Sequence, residues 1–400
     1  MDWTQFALKL IPVLLVFGAI LNIVPFLVFL ERKVCAWIQN RVGPNRVGLL
    51  GPDSPLEILG IKTGKVRILG GLLQPLADAI KLFTKENFTP KGADRTLFLL
   101  APFFALLPPL LAFVVVPVGA DFVFADGTVL KLQVADLNVG VLWILSVASF
   151  AAYGLAFGGW ASDNKFALLG GVRAMAQMIS YEIPLGILLL AVIMSFGTVS
   201  LREMVLAQAG WTAVSPDFTN NIWSWGIWQQ PLAFVLFTIC AFAENNRLPF
   251  DLPECEAELI GGYHTEYNAM GFGMFFQGEY IAMLSMGALI ATLFLGGWHY
   301  PGFASLYGAG GWVTLLAIVL SFAAFSVKVM AFVFFSMWVR WTLPRFRWDQ
   351  LMDIGWKGIV PLALANLLFT AFINLPPENK TPAHRQAAAA AVESVQAEKK

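Results

Sequence analysis

Residues 6–30 read FALKLIPVLLVFGAILNIVPFLVFL, and the only charge among them is Lys9. A helix of this length is about 37 Å long at 1.5 Å per residue. The hydrocarbon core of a bilayer is about 30 Å thick. The run therefore reads as a membrane-spanning helix. It is longer than the apolar core of a signal peptide, and it lacks a basic leader and a small-residue cleavage site, so it is expected to remain as the first span.

The rest of the chain repeats the pattern. Of its 400 residues 58% are hydrophobic and 13% charged, with a mean hydropathy of +0.69. Soluble domains are closer to half apolar and a quarter charged. Seven further apolar runs follow, near 96–119, 139–160, 174–196, 229–244, 268–297, 312–339 and 356–375. The second carries Pro102, Pro108 and Pro109 and is expected to kink or break. The fifth is short. The expected fold is an all-α polytopic membrane protein of about eight transmembrane helices. One transmembrane domain covers 1–376, and a polar, alanine-rich tail covers 377–400.

Basic residues orient the spans. Eleven Lys and Arg lie between Arg32 and Arg95, after the first span. Lys165, Arg173, Arg247, Arg340, Arg345 and Arg347 follow the third, fifth and seventh, whereas the loops between carry only Lys131 and Arg202. The positive-inside rule places the first set in the cytoplasm, and eight crossings then leave both termini outside. Within the first loop, Leu72, Leu76, Ala79, Ile80 and Phe83 share one helical face and Asp78, Lys81 and Lys85 point away. At this length the segment cannot span, and it is expected to lie as an amphipathic helix at the interface with membrane lipid.

Some charges do not suit a lipid-facing helix. Glu182, Glu279 and Lys328 fall inside predicted spans. A charge at mid-bilayer costs about 2.5–3.5 kcal/mol on insertion scales, so such residues face a cavity, a partner or a proton path, or else lie near a span end and snorkel. Residues 243–267, AENNRLPFDLPECEAELIGGYHTEY, hold six acids, Glu244, Asp251, Glu254, Glu256, Glu258 and Glu266, beside one base, Arg247. Glu254 and Glu258 share a helical face if the segment is helical, and like charges at that spacing repel. Acids in a first helical turn are favoured by the helix dipole, which accounts for Glu254 and Glu256. Two readings stand for the cluster. Buried, it would share and transfer protons near neutral pH. Exposed, it is a solvated acidic loop. Cys35, Cys240 and Cys255 form no paired motif and His264 stands alone, so no flavin, iron–sulfur cluster or metal is expected on this chain. No nucleic-acid partner is expected either.

The acidic run, together with ERKVCAWIQNRVGPNRVG at 31–48, GLLQPLADAIKLFTKENFTP at 71–90 and AMAQMISYEIPLG at 174–186, resembles the H subunit of respiratory complex I. That complex is the proton-translocating NADH:quinone oxidoreductase, and its mitochondrial counterpart is the subunit 1 family. The resemblance runs in order from the first span to the last. It implies a non-redox subunit of a translocase in an energy-converting membrane such as the bacterial cytoplasmic membrane. It implies a chamber for ubiquinone or menaquinone, shared with peripheral quinone-site and iron–sulfur subunits. Small and antiporter-like membrane subunits are the other implied partners. Carried over, Glu31, Arg32 and Arg41 would lie at the chamber mouth and docking surface, with Gly43 and Pro44 shaping the loop. Arg247 and Asp251 would line the chamber. Glu182, Glu244, Glu254, Glu256, Glu258 and Glu279 would form the acidic path inward, and the amphipathic helix near Leu76 would flank the mouth. The sequence departs from the family at residues 50–69, which read as an insertion, and at Asn245 and Ala257, where the family has Thr and Ser. A membrane subunit of a hydrogenase-type complex, a stand-alone transporter and a structural anchor are the competing readings; the intact motifs and the absence of a clear internal repeat favour the quinone enzyme.

Overall fold

The computed structural model describes residues 3–45, 71–123, 129–210, 222–253, 259–307 and 311–374. The long helices are α1 (Trp3–Ile38), α3 (Arg95–Ala112), α4 (Gly140–Ala161), α5 (Lys165–Phe196), α9 (Ala269–Phe294) and α11 (Gly311–Thr342). Shorter ones are α2 (Gln74–Thr84), α6 (Leu201–Gln208), α7 (Gly226–Gln229), α8 (Pro231–Glu244), α10 (Phe303–Tyr307) and α12 (Trp348–Asp353). A π-turn, Ile354–Ile359, joins α12 to α13 (Val360–Asn374). Two-residue strands Phe122–Val123 and Val129–Leu130 pair antiparallel.

Among the described residues, seven helices are long and apolar enough to cross a membrane. The protein is thus an all-α polytopic membrane protein. The expected fifth span is the 14-residue α8. The first span runs on through the ERK motif to Ile38, and the fourth begins at Lys165, before the expected 174. The proline-rich second span is helical through all three prolines and gives way to a 3₁₀ turn, Phe113–Val115, short of the expected 119. Asp94 caps it by accepting from the Thr96 and Leu97 amides. It lies along both α4 and α9.

The most enclosed span is α9, buried at almost every residue from Tyr280 to Phe294. The main apolar core forms around it, with Leu185, Leu188, Phe237, Phe294 and Val333 fully enclosed. Small residues allow this closeness. A Cβ on Gly154 of α4 would come 2.5 Å from the Ala105 amide nitrogen, and one on Gly278 of α9 would come 2.8 Å from the Ala105 carbonyl oxygen. Both helices therefore touch the α3 backbone at one point. Glu279 follows directly after that contact.

The amphipathic helix α2 forms as expected. Leu76, Ile80 and Phe83 are exposed, and none of its residues is buried. Its polar side is tied to α1: Arg32 Nη1 lies 2.8 Å from Asp78 Oδ2.

Candidate functional site

Four charges meet where α1, α9, α11 and the loop after α8 converge. Glu31, on the C-terminal half of α1, is 4% exposed. Its Oε2 accepts from Arg247 Nη1 at 2.8 Å and from the Tyr280 hydroxyl at 2.6 Å. Its Oε1 accepts from Arg340 Nη1 at 2.6 Å. Arg247 Nε forms an ion pair with Glu279 Oε1 at 2.6 Å, and its guanidinium lies 4.4 Å from the Tyr280 ring centroid. Burial works against the charge on Arg247, but the carboxylates of Glu279 and Glu31 outweigh it and hold the guanidinium protonated. Arg247 Nη2 is buried with no hydrogen-bond partner.

The loop that delivers Arg247 is pinned from both sides. Gln177 of α5 donates to the Ala243 and Phe250 carbonyls at 2.8 and 2.7 Å, and the Phe346 amide donates to the Pro249 carbonyl. Asp251 Oδ2 accepts from Arg345 Nη2 at 3.0 Å. Burial pushes the Asp251 carboxyl up to about 6, against the pull of Arg345 and Arg340.

Outside this web is an open chamber of about 590 Å³, lined by Glu31, Arg32, Cys35, Arg41, Phe276, Tyr280, Arg340 and Trp341, with Gly43 and Pro44 at its edge. Its floor is charged and its walls are apolar and aromatic. Its volume falls in the range of small-molecule sites. A larger groove of about 900 Å³ lies elsewhere, lined by Asp94, Trp160, Asp163 and Glu266 among others, and takes in none of the web.

Inside the web is a polar seam. A cavity of about 50 Å³ is bounded by Glu244, Asn245, Asn246 and Glu279, and a second of about 40 Å³ shares Glu244 and Asn245 and reaches Ser285. Glu244 Oε2, Asn245 Oδ1 and Asn246 Oδ1 are buried along it without a protein partner. Spaces of this size hold one or two waters. Glu182 of α5 accepts a hydrogen bond from Ser149 and is close enough for its charge to bear on Glu244.

The structure thus brings Glu31, Arg247 and Glu279 into direct contact, with Asp251 beside them, Glu244 along the seam and Glu182 within electrostatic reach of Glu244. Glu279, expected on the inward path, shares Arg247 with the chamber residue Glu31. Arg32 and Arg41 sit at the chamber rim, exposed. Glu254, Glu256 and Glu258, the 50–69 insertion and the 377–400 tail lie outside the described residues. Sequence reasoning missed Tyr280, Arg340 and Arg345. Arg340 entered only as an orientation signal, although a base closing an apolar run is itself a flag. Lys328 is spent on backbone: its Nζ donates to the Leu295, Gly297 and His299 carbonyls at 2.7, 2.8 and 2.6 Å, and Trp225 covers it at 4.4 Å. It closes the C-terminal end of α9, where carbonyls lack helical partners. His264 is held neutral, its pKa pushed down to about 4 by burial. Among the described residues, no three His, Cys, Asp or Glu are grouped to hold a metal ion.

Fold and site together define an integral helical membrane protein with a charged-floor chamber at one end. The chain belongs to the NADH dehydrogenase family, which it matches over residues 11–371. It is 47% identical over 367 residues to the NADH-quinone oxidoreductase H subunit numbered 1 of Geobacter metallireducens, covering 92% of this chain and 96% of that one. It is 46% identical over 359 residues to the H subunit numbered 2 of Geobacter sulfurreducens, covering 90% and 94%. The corresponding NADH-quinone oxidoreductase chain of Protochlamydia amoebophila is 45% identical over 350 residues, covering 88% and 92%.

Proposed function

We propose that this chain is the H-type membrane subunit of a proton-pumping NADH:quinone oxidoreductase, forming part of its quinone chamber and passing the consequence of quinone reduction inward. The observation that carries the reading is the juxtaposition of an open chamber, a buried charge web on its floor and small cavities bounded by Glu244 and Glu279 behind that floor. Family membership over nearly the whole chain supports it.

The substrate is a quinone, ubiquinone or menaquinone by class. Phe276 and Trp341 suit an apolar tail, and Arg340, Tyr280 and Glu31 suit a polar head. Reduction to quinol takes two electrons and two protons. The electrons arrive from NADH through flavin and iron–sulfur centres in peripheral subunits that dock on the basic loop after α1. Protons reach the reduced head from groups beside it, and Asp251, behind the chamber wall and paired with Arg345, can give one only through the groups between. Negative charge arriving in the chamber competes for Arg340 and Arg247. Arg247 is shared between Glu31 and Glu279, so loosening it from one carboxylate alters the field at the other. Glu279, Glu244 and Glu182 then carry the change along the seam, joined by Glu254, Glu256 and Glu258, toward small and antiporter-like membrane subunits. The chain lies in a bacterial cytoplasmic membrane with both termini outside.

The test uses the purified complex in sealed vesicles. Glu182→Gln and Glu244→Gln should each assemble normally yet slow NADH-driven quinone reduction and proton uptake by on the order of a hundredfold, the scale of a lost acid–base group. Normal turnover and pumping in both variants would end the proton-path reading.

A further inference from the structure

The segment that joins α11 to α13 grips the molecule in two places. At its start it holds residues 245–251, the loop that carries Arg247 to the charge web on the chamber floor, called the chamber loop below. Arg345 pairs with Asp251 at 3.0 Å, the Phe346 amide donates to Pro249 at 3.2 Å, and the Phe346 ring lies 5.5 Å from Phe250. Further on it holds α5 beside Glu182. The Tyr181 hydroxyl donates to the Leu351 carbonyl at 2.9 Å, and Trp356 Nε1 donates to Ser180 Oγ at 3.3 Å. Tyr181 is fully buried, and its ring lies 5.7 Å from that of Phe250, which closes the circuit between the two grips.

Local sequence makes the second grip possible. Pro361 has no N–H, so the Lys357 carbonyl lacks its α-helical partner. Gly355 and Gly358 remove bulk from the turn, and a Cβ on Gly355 would already come within 3.4 Å of the Tyr181 ring. The result is the π-turn Ile354–Ile359. Such turns occur mostly as single bulges inside helices, often at functional sites. Here the bulge lies against the two residues that precede Glu182.

We propose that residues 345–356 are a strut tying the chamber loop to Glu182, with Tyr181 and Trp356 as positioning residues that hold the Glu182 carboxylate on Ser149. The strut gives the chamber a second, mechanical connection to the seam beside the shared guanidinium of Arg247. It rests on the reading of Glu182 as a proton-handling group and deepens it.

A double-mutant cycle in the assembled complex tests this. Trp356→Phe keeps the aromatic ring and deletes its N–H, and Tyr181→Phe deletes only a hydroxyl. Each is made in the wild type and in Glu182→Gln, whose expected residual turnover of about a hundredth is read with concentrated complex. Complex amounts are equalised on native gels, and kcat, quinone KM and protons moved per NADH are measured. In the wild type each variant should lower kcat by on the order of tenfold with KM unchanged, since a small misplacement of a reacting group has effects of that size. In the Glu182 background neither should lower it further. Trp356→His, which retains a ring N–H, should recover part of the loss. Equal losses in both backgrounds would make the strut a merely structural brace and overturn the proposal, as would no loss in either. Wild-type turnover and pumping in Glu182→Gln would remove the proton role of Glu182 itself, an outcome distinct from the additive one.

Discussion

Arg247 sits 1% exposed among apolar helices, and the web around it explains how the bundle tolerates that. Two acids, Glu31 and Glu279, face two bases, Arg247 and Arg340, so the cluster is neutral as a unit. A planar guanidinium can address two carboxylates and lie over a ring at once, which a lysine ammonium cannot. Such webs contribute little net stability, but breaking one leaves an unmatched buried charge and costs about 3–5 kcal/mol. Asp251, beside the web, is the residue whose protonation is set by the fold. Its carboxyl is pushed up from an ordinary 3.8 to about 6 by burial. The folded state therefore binds its proton more tightly than the unfolded state does. That contribution to stability is complete below pH 3.8, falls between 3.8 and about 6, and is gone above. Thermal unfolding of the purified complex should show wild type losing ground to Asp251→Asn as pH rises from 4 to about 6, with parallel curves above pH 7. Parallel curves across the whole range would remove the burial argument for this residue.

Helices were the most legible feature of the sequence, because a run longer than the bilayer core has few other uses. Their ends were less legible, since α1 and α5 continue into polar motifs that hydropathy reads as loops. The continuity of α3 through three prolines was invisible because it depends on neighbours rather than on its own propensities. Contact geometry between helices belongs to the same class, and it can be tested with two glycines. A side chain on Gly154 would meet the α3 backbone at 2.5 Å, and backbone cannot step aside. A side chain on Gly186 meets nothing within 4 Å. Gly154→Ala should destabilise the bundle by about 1–3 kcal/mol, the scale of an overpacked core. Gly186→Ala should leave thermal stability of the solubilised protein unchanged. The site follows the same division. Glu182 and Glu279 stood out as charges in apolar runs. Arg340 did not, because its partner Glu31 is 309 residues away and pattern encodes a face, not a distant contact.

The molecule as a whole raises a question of parity. Helix α8 has 14 residues, about 21 Å at 1.5 Å per residue, which is short for a bilayer core of about 30 Å. Yet Glu31, near the C-terminal end of the first span, Arg247, after the fifth, and Arg340, at the end of the seventh, meet within hydrogen-bond distance at one end of the bundle. The chain therefore changes ends across α8. The backbone flanking α8 is buried, which membranes permit where protein surrounds it. At one end Gln230 donates to Ser195 and Thr370 and accepts from Asn366. At the other, residues 245–251 are sealed in by Gln177, Arg345 and Phe346. With α8 crossing, eight crossings bring both termini to the same face, and the nine Lys and Arg from Arg41 to Arg95, after α1, predict that this face is the outer one. Fusions at the C-terminus read this directly in a bacterial host. An alkaline phosphatase, which matures only outside the cytoplasm, should be active there, and a green fluorescent protein, which matures only inside, should be dark. The reverse pattern would mean either that α13 does not cross or that the whole bundle is inverted against its basic loops. An inverted bundle would set the charge web at the outer face, and the chamber could not open toward the face on which the peripheral subunits are proposed to dock.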